Sequence, residues 1–176
     1  RAAMRAFGLG ARAAHLNGYV RVHGEWRMWI ARRSHGKHIN PGMLDNLVGG
    51  GIAEGMGVRD TLLKECAEEA GIPPALAAAA AAVGRFRVRS LVSEGVHDET
   101  LDCFDLELPE DFRPFNRDGE VAEFVLVAPG ELVERLAAGE FAVDAGVVAM
   151  DFLARRGCLR SEPGLERGIE ALRVRS

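Results

Sequence analysis

The sequence is poor in cysteine, in aromatics, in long apolar runs and in surplus positive charge. Three cysteines in 176 residues (Cys66, Cys103 and Cys158) are too few and too scattered for a disulfide framework or a cysteine-based metal module. They suit a reduced, cytoplasmic setting. The apolar run from Ala75 to Val83 is far too short to span a membrane, and no secretory signal is visible, so no membrane partner is expected. Lysine and arginine total 22 against 26 acidic residues, a net charge of -4. That balance excludes broad nucleic-acid binding but leaves room for a local basic patch that holds a phosphorylated small molecule. Aromatics make up 6% of the chain. What is present, 48% apolar and 27% charged residues, is ordinary for a globular domain with a real core. No internal repeat is evident.

Taken in order, the chain mixes strands and helices. Residues 1–14, beginning at Arg1, read as a tail or the end of a missing upstream domain; 15–160 read as the main domain and 161–176 as a C-terminal helical tail. His15 to His23 and Trp26 to Arg32 form a hairpin signal around Gly24-Glu25, with Trp26, Met28 and Ile30 alternating against Arg27, Trp29 and Ala31. A basic loop with Ser34, His35, Lys37 and His38 follows, then a short strand from Met43 to Gly49. Pro73-Pro74 opens an alanine-rich helix expected to run to about Ala82. Strands are expected over Gly84–Leu91, Glu99–Leu108 and Val121–Val127, with a loop from Ser93 to His97. Helices are expected over Glu131–Ala138, from Val143 or Asp144 to Arg156, and over Gly164–Arg173. This order suggests an α/β sandwich, a sheet covered by helices on both sides.

The most informative stretch is Gly49 to Ile72, GGGIAEGMGVRDTLLKECAEEAGI. A triple glycine leads into a helix over about Gly57 to Ala70, closed by Gly71. Val58, Leu62, Leu63, Cys66 and Ala70 form one apolar stripe, with Cys66 read as a small core residue. Glu65, Glu68 and Glu69 lie mainly off that stripe and project from neighbouring points. Three acids in the last turn of a helix repel one another and oppose the helix dipole. A divalent cation would relieve both. The bland alternative is a solvated acidic face, and the surrounding glycines weigh against it.

Gly50 to Ile72 resembles the Nudix box, GX5EX7REUXEEXGU with U apolar. Gly50, Glu65, Cys66, Glu68, Glu69, Gly71 and Ile72 match it; Met56 and Lys64 stand where the pattern has glutamate and arginine, a pair that braces the loop and helix in the family. Met28–Ser34, Pro41–Gly55 and Asp105–Val121 look like the thiamine-pyrophosphokinase-associated branch of that family, whose members include diphosphatases of oxidised or damaged thiamine diphosphate. The resemblance implies a Nudix-type α/β/α sandwich with a mixed sheet, and magnesium-dependent hydrolysis of a diphosphate linkage in a small metabolite, with manganese as the alternative ion. It implies Glu65, Glu68 and Glu69 as metal ligands and Glu120 as a candidate general base or extra ligand, although an exposed loop acid is the better bet for Glu120. Arg32, Arg33 and Lys37, with the backbone of Gly50 and Gly51, are candidates for the diphosphate; His38, Arg87 and Arg89 are further cations nearby. Trp29, Phe104 and Phe115 are candidates for facing a substrate ring, with core packing the better reading for Trp29 and Phe104. Nudix folds often form homodimers, so the resemblance implies a homodimer as a candidate assembly. Two alternatives stand beside the hydrolase. One is an isopentenyl-diphosphate-isomerase-like enzyme of the same fold, which needs a reactive cysteine in the cleft. The other is a degenerate module that binds a diphosphate without turnover, favoured by Met56 and Lys64.

Overall fold

A computed structural model of the chain describes residues 10–92, 95–159 and 163–174. Strands β1 (Ala11–Val22) and β2 (Glu25–Arg33) form the hairpin, turning at His23 and Gly24, both at positive φ. The turn is thus one residue earlier than expected. Strands β3 (Leu44–Asn46) and β4 (Val48–Gly51) follow, then helix α1 (Val58–Glu69) and the single-turn helix α2 (Pro74–Ala77). Strands β5 (Ala81–Val92), β6 (Gly95–Glu107) and β7 (Val121–Val127) complete the sheet, and helices α3 (Pro129–Ala137), α4 (Val143–Arg155) and α5 (Pro163–Leu172) close the chain.

The seven strands form one mixed sheet. β1 runs parallel to β6 along Ala11–Tyr19, while the β1–β2, β2–β7 and β5–β6 pairs are antiparallel. The hairpin strands pair only near their turn, where Gly18–Val22 meet Trp29–Glu25. Beyond that they part. β4 takes over the freed edge of β1, Gly49 opposite His15, and β3 takes over the freed edge of β2, Asp45 opposite Ala31. The single strand expected over Met43–Gly49 is therefore two strands that diverge at Leu47. This parting opens the sheet and brings glycines and buried polar residues to one place.

Helices cover both faces. Leu16, Val20, Phe104 and Leu106 pack against Leu62 and Cys66 of α1 and Ala77 of α2. Met28, Ile30, Phe86 and Leu101 pack against Leu132 of α3, Val148 and Phe152 of α4 and Ile169 of α5. The expected α/β/α layering is what the chain adopts. Leu62, Cys66 and Ala70 of the α1 stripe are fully buried, and Trp29 and Phe104 lie in the core as favoured.

Three further expectations change. The alanine-rich helix stops at Ala77, and Ala81 and Ala82 pair with Asp105 and Phe104 in the sheet. Strand pairing there overrides the helix preference of alanine, which is only a weak bias. Of the N-terminal tail, residues 1–9 lie outside the described residues, but Ala11–Ala14 belong to β1. Of the loop Ser93–His97, Ser93 and Glu94 lie outside the described residues, while Gly95–His97 belong to β6. The C-terminal helix is docked on the sandwich: Ile169 is buried, Val174 N–H donates to the Arg85 carbonyl at 2.8 Å, and Arg173 pairs with Asp151 on α4.

Candidate active site

Where β1 and β2 part, an open cleft is lined by His15, Arg33, Lys37, Asp45, Gly49, Gly50, Gly51, Glu99 and Asp144. Next to it a smaller recess is bordered by Arg33, Lys37, Gly49, Glu69 and Glu120.

Glu69 is the most constrained acid of the cluster. It is 7% exposed, and its Oε2 accepts a hydrogen bond from the Gly49 N–H at 2.9 Å. Burial pushes its carboxyl up to about 8; the charges of Asp45 and Glu65 push the same way, against the Gly49 hydrogen bond and Lys37. Glu65 turns to the glycine loop. A Cβ at Gly50 would overlap its Cγ and Cδ, so only glycine fits between strand and helix. Glu68 points outward, 2.7 Å from the Lys64 ammonium, which also reaches Glu65 at 3.2 Å. The acidic turn thus has partial compensation within the chain, from Lys64 and from the Gly49 N–H. Met56 is exposed in the loop before α1.

The loop between β6 and β7 brings further acids. Its backbone caps the end of α1: Phe115 N–H donates to the Ala70 carbonyl at 3.3 Å and Arg117 N–H to the Glu68 carbonyl at 2.9 Å. Gly71, at φ +64, lets the helix end and leaves no room for a side chain under the Phe115 ring. Asn116 then folds the loop back, accepting from Gly119 N–H at 2.6 Å and donating to the Val121 carbonyl at 2.5 Å. As a result, carboxylate oxygens of Glu69, Asp118 and Glu120 lie within 4.8 Å of one another. Glu120 also pairs with Lys37. Asp118 is the acid that the sequence did not single out, because nothing in its spacing ties a loop residue to α1. The donor set is all carboxylate oxygen, one member buried and held well above its ordinary pKa, and this suits a hard divalent cation.

The cations divide. Arg33 lines the cleft and donates to Asp45 at 2.6 Å and to the Ile39 carbonyl at 3.0 Å. Arg32, on the other side of the strand, is committed to Glu123 at 2.6 Å and the Gly42 carbonyl at 2.9 Å and does not line the cleft. Arg87 grips Asp98 through two hydrogen bonds of 2.7 and 2.8 Å, and Arg89 lies 3.7 Å from the same carboxylate. His38 is exposed and outside the lining. Of the aromatics, Trp29 and Phe104 are in the core, and Phe115 covers Gly71. None of the three borders the cleft.

At the far end of the cleft His97 and Glu99 of β6 meet Asp144 at the start of α4. His97 Nε2 is 3.0 Å from Asp144 and 3.6 Å from Glu99. Their two-residue spacing on one strand puts His97 and Glu99 on one face; no spacing in the chain ties Asp144 to them.

Comparison with known proteins agrees with this geometry. Residues 18–148 match the family model described as NUDIX domain. The chain is 43% identical over 166 residues to "Nudix hydrolase 24, chloroplastic" of Arabidopsis thaliana, covering 93% of this chain and 46% of that protein. It is 42% identical over 163 residues to "Nudix hydrolase 20, chloroplastic" of the same plant, covering 92% and 44%. It therefore spans less than half the length of these relatives. In structure it is similar to a C. elegans Ap4A hydrolase in a binary complex, with a TM-score of 0.62 at 13% identity over 84% of this chain and 98% of that one.

Proposed function

Because the chain belongs to the Nudix family, we propose that it is a magnesium-dependent hydrolase that cleaves a diphosphate linkage in a small phosphorylated metabolite. The observation that carries this reading is the gathering of Glu69, Asp118 and Glu120 beside the glycine loop, with Arg33 and Lys37 on the cleft wall. Glu69, Glu65, Asp118 and Glu120 would hold the ion, and Glu68 would join by exchanging Lys64 for it. When bound, magnesium would neutralise phosphate charge and lower the pKa of an attacking water.

The chain's own residues do the rest. Arg33 and Lys37 offset the charge of the diphosphate. Both are already paired with acids, Asp45 and Glu120, so substrate shares rather than creates these contacts. Gly50 and Gly51 let the backbone approach the phosphates closely. The Gly49 N–H fixes the Glu69 carboxylate in place. Glu120, half-exposed and paired with Lys37, would serve either as an extra ligand or as the group that takes a proton from the water. A thiamine-diphosphate-like substrate is favoured by the sequence segments quoted above, and manganese is the alternative ion. Three free cysteines suit a reducing compartment, the cytoplasm or the chloroplast.

An isomerase reading is weakened by the cysteines. Cys66 is fully buried and its thiol is pushed up to about 12 by burial, so it offers the cleft no nucleophile. The degenerate module keeps one supporting observation, the absence of a bracing pair between positions 56 and 64: Met56 is exposed, and Lys64 pairs with Glu65 and Glu68 instead. Incubation with magnesium and a panel of diphosphates, followed by phosphate release, tests the proposal. Release that is lost in Glu120→Gln and Asp118→Asn supports it; binding across the panel without release favours the degenerate module.

A further inference from the structure

A chain of buried hydrogen bonds runs from the back of the sandwich into the cleft, and its direction can be worked out. Arg155 donates to both oxygens of Asp105, at 2.7 and 3.1 Å, so both oxygens are acceptors. The Asn17 amide nitrogen faces Asp105 at 3.1 Å and the Val148 carbonyl at 3.4 Å. Both are acceptors, which fixes the orientation of that amide. Its oxygen must then accept from the Asn46 amide nitrogen, 3.0 Å away, which also faces the Ala145 carbonyl at 3.3 Å. The Asn46 oxygen is therefore an acceptor, and His15 Nδ1, 2.8 Å from it, must carry a proton. In the neutral ring the lone pair is left on Nε2. His15 lines the cleft beside Gly49, next to the proposed diphosphate site.

We propose that His15 Nε2 is a specificity contact, accepting a hydrogen bond from an N–H or O–H group on the organic part of the substrate. This rests on the hydrolase reading for the diphosphate end. The walls beyond His15 point the same way. They offer the carboxylates of Glu99 and Asp144 between the small side chains Ala11, Ala13, Ala142 and Ala145, whereas Arg33 and Lys37 lie towards the glycine loop and Glu120. Acceptors and carboxylates, with His97 beside both acids, suit an organic group bearing amino or hydroxyl donors more than a further phosphate group.

Two measurements test this. The first is the nitrogen NMR of the His15 ring at pH 8.5, assigned through contacts with Gly49. The Nδ1-protonated neutral tautomer is expected; the Nε2-protonated one overturns the proposal. The second is calorimetric binding of two ring-bearing diphosphates that differ only in an amino group against a methyl group. The wild-type protein should favour the amino compound about tenfold, the usual size of one hydrogen bond. His15→Asn keeps a donor for Asn46 but removes the Nε2 position, so it should bring the ratio close to one. An unchanged ratio, or no binding of either compound, sinks the subsite. Phosphate release from other diphosphates would in that event still support the hydrolase, so the two readings fail separately.

Discussion

Glu69 would couple the stability of the chain to the proposed function. Its carboxyl is raised from 4.5 to about 8 in the folded chain. Between those values the folded state holds a proton that the unfolded state has lost, so stability falls as pH rises through this window, by at most about 1.4 kcal/mol per pH unit. Thermal unfolding of the metal-free protein from pH 5 to 8.5 should show that fall, and saturating magnesium should flatten it. Glu69→Gln should also remove most of the slope and stabilise the metal-free protein by roughly 1–2 kcal/mol at pH 8. The cysteines make a second residue-scale prediction. Burial raises the thiols of Cys66 and Cys103, while Cys158 is exposed. In native protein, mass spectrometry after brief alkylation should find the label on Cys158, with the other two reacting only on unfolding.

At the scale of elements, the site depends on one strand, one helix and one loop held at fixed distances. Gly50→Ala would push Glu65 away from β4, costing ~1–3 kcal/mol of stability as an overpacked contact and lowering kcat with it. Denaturant melts and steady-state kinetics on the same variant check both effects. Asn116→Ala should leave the fold intact but loosen Asp118 and Glu120, weakening magnesium binding roughly tenfold by calorimetry. These elements were not equally legible. Helix α1 could be read because glycines bound it and its apolar stripe has helical spacing. The stretch after Pro74 misled because alanine's helix preference is weak beside the pairing of Ala81 and Ala82 with β6. Of the cleft, Arg33, Lys37, Gly50 and Gly51 were legible as candidates, but its walls at His15, Asp45 and Asp144 were not. The cleft exists because β1 and β2 part after Gly18 and Trp29, and only that parting brings His15, Asp45 and Gly49 together. Asp118 and Asp144 reach the site by tertiary packing, which leaves no periodic trace in the sequence.

Across the whole molecule, the sheet is joined to its outer helices by charge as well as by apolar packing. Arg155 bridges Asp105 on β6 and Asp151 on its own helix, and Arg173 reaches Asp151 from beyond the C-terminal helix. Asp151 is almost fully buried. Arg155→Ala would leave Asp151 with Arg173 and Asp105 with Arg156 at 3.4 Å and the Asn17 amide, so the loss is that of charge-assisted hydrogen bonds, roughly 2 kcal/mol. Since the same arginine anchors the hydrogen-bond chain that ends at His15, its loss should reach the cleft as well. The proposed hydrolysis rests on the acids at the glycine loop. It is tested most directly by phosphate release from the diphosphate panel at pH 8, with and without magnesium, for wild-type protein and Glu69→Gln. The expected result is release that requires the metal and falls at least ~100-fold in the variant, a loss typical of a group acting at the reacting centre. Release that proceeds without a divalent metal, or that survives Glu69→Gln undiminished, would contradict it.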